Sequence, residues 1–368
     1  MLTIILLALV AVAIIWCFVY FFILDEKKDM FYFLRTQEKR ISSDWPHVKT
    51  SLFREGLQHV VFHHHELQAV YEEIHKKIIG MDVFINAIIL NMLCGGHMLI
   101  EGVPGLAKTK TVHTFSEIMG MEFKRIQFTP DMLPADIIWV EIYDSVSKSF
   151  EAKIGPIMAN IILADEINRA TPKVQSALLE AMQEQQVTIW WKSFALPEPF
   201  FVLATQNPLE QEGTYPLPEA QIDRFLFKIL VTYPSVHEEK KILDEMEHDW
   251  DIQIQKVITH KGFALLKEQI QEVTISDQVK WYITRLIDAT RTAPQLLYGA
   301  SPRWSIGIMV ASKALAFCEW KNYVTHDDVQ KVALAVLRHR VVVSYEAKME
   351  WLEVDDILIK LFEGIALA

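Results

Sequence analysis

Residues 102–109 read Gly102-Val103-Pro104-Gly105-Leu106-Ala107-Lys108-Thr109, and Lys110 follows them. The apolar run His97-Met98-Leu99-Ile100 stands just before and has the length of a short buried strand, while Thr109 to Met119 reads as a helix. A glycine-containing turn between strand and helix exposes backbone N–H groups at the helix N-terminus, where the helix dipole also favours an anion. Phosphate fits this pattern. Lys108 can reach the β and γ phosphates of a nucleotide, and the Thr109 hydroxyl can hold Mg²⁺. The general pattern carries glycine immediately before the lysine; Ala107 stands there in this chain, the smallest departure available. A chance turn is the alternative reading of the loop alone.

Further along, Ile161-Ile162-Leu163-Ala164 is a second apolar strand and ends in Asp165-Glu166. Two acids at the tip of a strand downstream of a phosphate loop suit hydrolysis: Asp165 to orient a Mg²⁺ shell, Glu166 to polarise the attacking water. Solvated acids at a strand end are the bland alternative. Thr171 to Gln185 reads as a helix and Phe200 to Thr205 as a third strand. This alternation predicts a parallel sheet with helices on its faces. After Pro234 the pattern turns helical, with segments at His237–His248, Phe263–Thr274, Asp277–Thr292, Ser301–Trp320 and Thr325–Arg338. Upstream, apolar residues from Leu57 to Ile78 recur at helical spacing and predict one amphipathic helix.

The bulk properties agree with this reading. A chain of 368 residues with 51% hydrophobic residues is globular and long enough for two domains. Its net charge of -11 is a poor match for nucleic acid, which wants a basic face. The three cysteines, Cys17, Cys94 and Cys318, form no CxxC pair, so neither a disulfide framework nor a zinc site follows. His63-His64-His65, with His59 one turn earlier, reads as a solvated run rather than a metal ligand set. Trp190-Trp191 reads as a hairpin surface or a contact patch rather than a base-stacking platform.

Leu2 to Leu24 carries no charge, and spanning a bilayer as a helix takes about 20 apolar residues. Nothing basic precedes the run, and it ends in bulky Tyr20, Phe21, Phe22 and Ile23, unlike a cleaved signal peptide. Lys27, Lys28, Arg35, Lys39 and Arg40 follow it, which places the remainder in the cytoplasm by the positive-inside rule. The expected organisation is a transmembrane anchor at 1–24, a juxtamembrane linker at 25–56, an α/β nucleotide-binding domain at 57–232 and an all-helical lid at 233–368. The localisation expected is a cell membrane, single-pass, with the catalytic domains in the cytoplasm.

The stretches GGHMLIEGVPGLAKT (95–109), RIQFTPDMLPADI (125–137), GPIMANIILADEINRATPKVQSALLEAMQEQQVTI (155–189), PEPFFVLATQNPLEQEGTYPLPEAQIDRF (197–225), GASPRWSIGI (299–308) and VLRHRVVVS (336–344) resemble the MoxR family of AAA+ ATPases. The resemblance implies a P-loop sheet domain with a helical lid, ATP and Mg²⁺ as cofactors, and a homo-oligomeric ring, hexameric in the expected form. It implies chaperone-like remodelling, or metal insertion and maturation, of partners with von Willebrand factor A domains, and, with the anchor, partners at a membrane. By the same resemblance Asn207 is a sensor that helps place the water, Arg224 an arginine finger, and Arg303 a lid arginine reaching the γ-phosphate. Ile79-Gly80 packs against adenine, Ile137 to Phe150 is an inserted hairpin, and Gln186 to Pro197 is the hairpin before the sensor strand. Met81 departs from the family's usual glutamine, and Trp139 and Val140 from its usual glycine and threonine. A nucleic-acid motor and a scaffold that holds ATP without turnover are the alternatives.

Overall fold

The apolar runs around the phosphate loop become neighbouring strands of one sheet. The computed structural model describes residues 52–144, 149–189, 192–208, 213–246 and 252–366. In chain order the strands of the first part are β1 (Met98–Gly102), β2 (Phe123–Gln127), β3 (Trp139–Asp144), β4 (Ser149–Ile154), β5 (Ile161–Asp165), β6 (Gln186–Ile189), β7 (Lys192–Ala195), β8 (Phe201–Gln206) and β9 (Phe227–Val231). Five of them form a parallel sheet in the order β2-β5-β8-β1-β9. The inner strands β1, β5 and β8 are buried on both faces along most of their length, which is why they read as continuous apolar runs. The edges differ. β2 (FKRIQ) exposes Lys124 and Arg125, and β9 alternates buried Phe227, Ile229 and Val231 with half-buried Lys228 and Leu230.

The two expected hairpins are present as antiparallel pairs, β3 with β4 and β6 with β7. The first is shifted a few residues from the expected Ile137–Phe150: Ile137 belongs to the short helix Pro134–Ile138, and pairing runs from Trp139 to Ile154. Trp190 and Trp191 lie outside the described residues.

Two helices depart from expectation for physical reasons. The segment from Leu57 to Ile78 is not one helix; the helix spans His65–His75. Leu57, Val60 and Phe62 are buried from a non-helical stretch in which Val61 is exposed, and the His63 N–H donates to the Cys318 carbonyl. Helical spacing there arose from a loop packed on the core. In contrast, the helix Asp82–Cys94 buries every residue from Phe84 to Leu93. With no polar face it has no period to detect.

The histidine run holds no metal cluster: among the described residues no group of three or more His, Cys, Asp or Glu could hold an ion. His63 and His65 are exposed, and the His64 ring packs against Phe317 and Trp320 at 5.0 and 5.1 Å.

The C-terminal part contains the helices His260–Glu272, Asp277–Thr292, Arg303–Cys318, His326–Leu337, Tyr345–Met349 and Val354–Glu363. Polar caps begin several of them: Ser276 accepts from the Val279 N–H, and Thr325 with Asp328 forms a capping box. This part is not wholly helical. β10 (Leu296–Tyr298) and β11 (Val342–Val343) make a two-stranded antiparallel ribbon, too short to leave a two-residue period in the sequence.

The single-pass membrane assignment is corrected. Among the described residues no helix is long and apolar enough to cross a membrane. The most apolar ones, Asp82–Cys94 and Arg303–Cys318, have 13 and 16 residues and are core helices. A span needs about 20. The run Leu2–Leu24 and the linker expected at 25–56, up to Ser51, lie outside the described residues. The described residues thus support no single-pass membrane placement.

One buried histidine gives the sheet domain a pH dependence. His97, just before β1, accepts the Val202 N–H on Nδ1 at 3.0 Å, so Nε2 carries the proton and donates to the Met182 carbonyl at 3.2 Å. Burial pushes its pKa from 6.5 down to about 4. The folded state thus resists a proton that the unfolded chain takes up. Stability is unaffected above pH 6.5 and is lost as pH falls from there towards 4, by up to about 3 kcal/mol. Urea unfolding between pH 7 and 4.5 should show this slope, and His97→Gln should flatten it; an unchanged slope in that variant would assign the dependence to other groups.

Candidate nucleotide site

The phosphate loop begins where β1 ends at Gly102 and closes where the helix Lys108–Met119 begins. Sequence pattern and backbone meet at two positions. A Cβ on Gly102 would lie 2.7 Å from the Val231 carbonyl, because β9 runs directly alongside. Gly102→Ala is expected to destabilise the fold by about 1–3 kcal/mol, as overpacking does in a filled core, and a lowered urea midpoint measures it. Ala107 caps the helix with φ 51° and ψ 17°, in the left-handed region. That is the backbone reason for the usual glycine before the lysine, and this chain places alanine there at some strain.

Facing the loop, β5 delivers Asp165 and Glu166, and β8 delivers Thr205, with Asn207 just beyond its end. A cavity of about 420 Å³ lies between them, at the C-terminal ends of the parallel strands, where open α/β sheets bind ligands. Gly102, Pro104, Gly105, Leu106, Ala107, Lys108, Thr109, Lys110, Asp165, Glu166 and Asn207 all line it. Val103 is buried behind the loop. Lys108 Nζ donates to the Gly102 carbonyl at 2.8 Å, which holds the ammonium over the loop. Burial lowers its pKa, and the charges of Asp165 and Glu166 oppose the shift.

The carboxylates are held by residues that the sequence reading missed. Asp165 Oδ1 accepts from the Thr205 hydroxyl at 2.6 Å, and Oδ2 from Arg125 at 3.0 and 2.6 Å. Glu166 Oε2 accepts from Gln127 Nε2 and pairs with Arg169 Nε, each at 2.9 Å. Its own backbone is left-handed, φ 59°, and its N–H donates to Thr205 Oγ1 at 2.9 Å. Strained backbone of this kind persists only where neighbours fix it. The overlooked signal was register: β2 pairs with β5 so that Gln127 sits opposite Asp165 and Arg125 opposite Leu163.

The remaining candidates lie elsewhere. Ile79 and Gly80 precede the helix Asp82–Cys94; Gly80 has φ +66°, a Cβ on it would collide with the Glu238 carboxylate, and Met81 Sδ accepts from Thr111 Oγ1 at 3.6 Å. The segment therefore packs beside the helix that the loop opens. Arg224 follows the helix Glu219–Ile222, and its Nη1 donates to the Leu179 carbonyl at 2.7 Å. Arg303 begins its helix with a side chain 66% exposed, 4.0 Å from Asp223 Oδ2. Neither arginine lines the cavity.

The donors fit the groups that a nucleotide site needs. Backbone N–H groups at a helix N-terminus and Lys108 suit phosphates, and Thr109 and Asp165 offer only oxygen, as Mg²⁺ prefers. Residues 97–227 match the family described as "ATPase family associated with various cellular activities (AAA)", and residues 288–360 match the AAA lid domain. Fold, loop and acids together define a nucleotide-binding AAA+ protein that hydrolyses ATP. Chaperone MoxR1 of Mycobacterium tuberculosis is 43% identical over 312 residues, covering 82% of each chain. The protein YeaC of Bacillus subtilis is 44% identical over 303 residues, 82% of this chain and 95% of that one. A crystal structure of a protein from Cytophaga hutchinsonii assigned as an ATPase superposes with a TM-score of 0.79 at 42% identity, covering 82% of this chain and 95% of that one. The chain belongs to the MoxR family of AAA+ ATPases.

Proposed function

We propose that this chain is a Mg²⁺-dependent, ring-forming remodeller whose hydrolytic centre is completed by a neighbouring copy. The observation that carries it is the division of charged groups: Lys108, Thr109, Asp165, Glu166 and Asn207 share one cavity, while Arg224 and Arg303 lie outside it. In this reading the loop N–H groups and Lys108 bind the β and γ phosphates. Thr109 and Asp165 would hold Mg²⁺, which when bound would neutralise charge on the phosphate oxygens. Glu166 takes the proton of the attacking water, with its carboxylate oriented by Gln127 and Arg169. Asn207 fixes that water. Ile79 and Gly80 flank the base, Arg303 reaches in from the lid, and Arg224 serves the next subunit. An ionised carboxylate has about four acceptor sites, so Asp165 can keep Arg125 and Thr205 and would still have one left to help hold Mg²⁺.

The remodelling role is supported by the relative named a chaperone. The hexamer and the class of client, proteins with von Willebrand factor A domains, rest on the family resemblance. Purified Glu166→Gln, held with ATP and exposed to cell extract, should enrich proteins carrying such a domain over Lys108→Ala treated alike. Equal recovery of those proteins by both variants would overturn the client class.

A further inference from the structure

Arg224 is flanked on both sides by residues that the lid grips. On its N-terminal side, Asp223 Oδ1 accepts from Trp304 Nε1 at 2.5 Å, and the same oxygen lies 3.7 Å from Arg340 Nε. On its C-terminal side, Arg340 Nη2 donates to the Phe225 carbonyl and Nη1 to the Leu226 carbonyl at 3.0 Å, while His339 Nε2 donates to the Phe225 carbonyl at 3.0 Å. Arg340 also donates to the Val336 carbonyl near the end of the helix His326–Leu337 that precedes it. Its side chain is 1% exposed and its guanidinium stacks on the Trp304 ring at 3.0 Å from the centroid. Trp304 in turn adjoins Arg303, which approaches the same Asp223.

A buried arginine is a poor way merely to glue two parts together, because desolvating the charge offsets much of what its contacts contribute, and apolar residues of similar volume often serve as well. What the fork of a guanidinium adds is direction. Here its donors fall on the two carbonyls that follow Arg224, and its Nε, which has no hydrogen-bond partner, faces the acid that precedes it. The Arg224 side chain itself leaves this clasp and runs to Leu179.

We infer that Arg340, with Asp223 and Trp304, positions Arg224 according to the lid of its own subunit, so that each subunit's lid sets the arginine it presents to its neighbour. The inference rests on the proposed trans role of Arg224. Because Arg303 and Arg340 share Asp223, a lid drawn towards its own nucleotide through Arg303 pulls on the residue next to the finger. Arg340 touches no nucleotide in this scheme and acts through Arg224.

The test separates this from a structural role and from failure of the finger itself. Arg340→Met should assemble, melt near the parent and bind ATP within about twofold of it, yet lose roughly ten- to hundredfold in kcat, as misplacement of a catalytic group by about 1 Å does. Mixed into rings with Lys108→Ala subunits, which bind no ATP but present an intact Arg224, the Arg340→Met sites should regain turnover. If Arg224→Ala regains turnover in that mixture and Arg340→Met does not, Arg340 acts on its own site or on stability alone and the inference falls, while the finger stands. If neither regains it in co-assembled rings, the finger reading falls and takes the inference with it. Should Arg340→Met fail to assemble, Asp223→Asn, which keeps an acceptor for Trp304 but removes the charge facing Arg340, carries the same readouts; parental kcat in that variant overturns the coupling.

Discussion

Lys108→Ala is expected to lose tight ATP binding, whereas Glu166→Gln is expected to keep it and lose turnover. The two groups border one cavity, and the proposed mechanism gives them different parts of the reaction. In the proposed reading Lys108, held over the loop by the Gly102 carbonyl, meets phosphate charge that is present before and after the transition state. Removing it takes away charge-assisted hydrogen bonds worth about 1.5–3 kcal/mol each, so the dissociation constant should rise roughly 10- to 150-fold. Glu166, in the same reading, acts on the water, whose charge develops only during attack. Glutamine keeps its shape and an acceptor for Gln127 and Arg169, but cannot take a proton. General-base losses run to about 10²–10⁴-fold in kcat with binding little changed. Titration with a fluorescent nucleotide gives the first quantity and steady-state phosphate release the second. Normal turnover by Glu166→Gln would remove its assigned role, and parental affinity in Lys108→Ala would remove that of the lysine.

What the sequence disclosed follows burial. The inner strands β1, β5 and β8 were legible because both faces are covered and the residues are uniformly apolar. The loop at 102–109 and the acids at the tip of β5 were legible as a turn between strand and helix and as a polar end to an apolar strand, and both border one cavity. The edge strand β2 was not, since it mixes Lys124, Arg125 and Gln127 with apolar residues. With it went Arg125 and Gln127, two of the four side chains that hold Asp165 and Glu166, for their role depends on strand register, which spacing along the chain does not encode. The helix Asp82–Cys94 was hidden by being apolar all round, and the Leu57–Ile78 segment misled because a packed loop imitated a helical period. The clasp around Asp223 joins residues more than 80 positions apart, so single motifs could not reveal it. The uncharged N-terminal run was read from hydropathy alone, and no described helix extends that reading.

Arg224→Ala should cost about 10³-fold or more in turnover while leaving ATP binding intact, if its guanidinium stabilises charge on a neighbour's γ-phosphate. An arginine that only donates to the Leu179 carbonyl at the surface of its own subunit would contribute no more than a weak polar contact does, about 0–1 kcal/mol, and its loss would leave kcat nearly unchanged. The size of the effect already divides the readings, but a large loss could still come from within the subunit. Subunit mixing removes that ambiguity. Lys108→Ala chains present the arginine and bind no ATP; Arg224→Ala chains bind ATP and present none. Each alone should be nearly inactive. In rings where the two alternate, an Arg224→Ala site faces an intact arginine and hydrolysis should partly return, with a yield that follows the fraction of mixed interfaces as the ratio is varied. Recovery that tracks this fraction requires the arginine to act across the interface, because no chain in the mixture carries both groups. Persistent inactivity in rings shown by native mass spectrometry to contain both chains would place the effect of Arg224 within its own subunit.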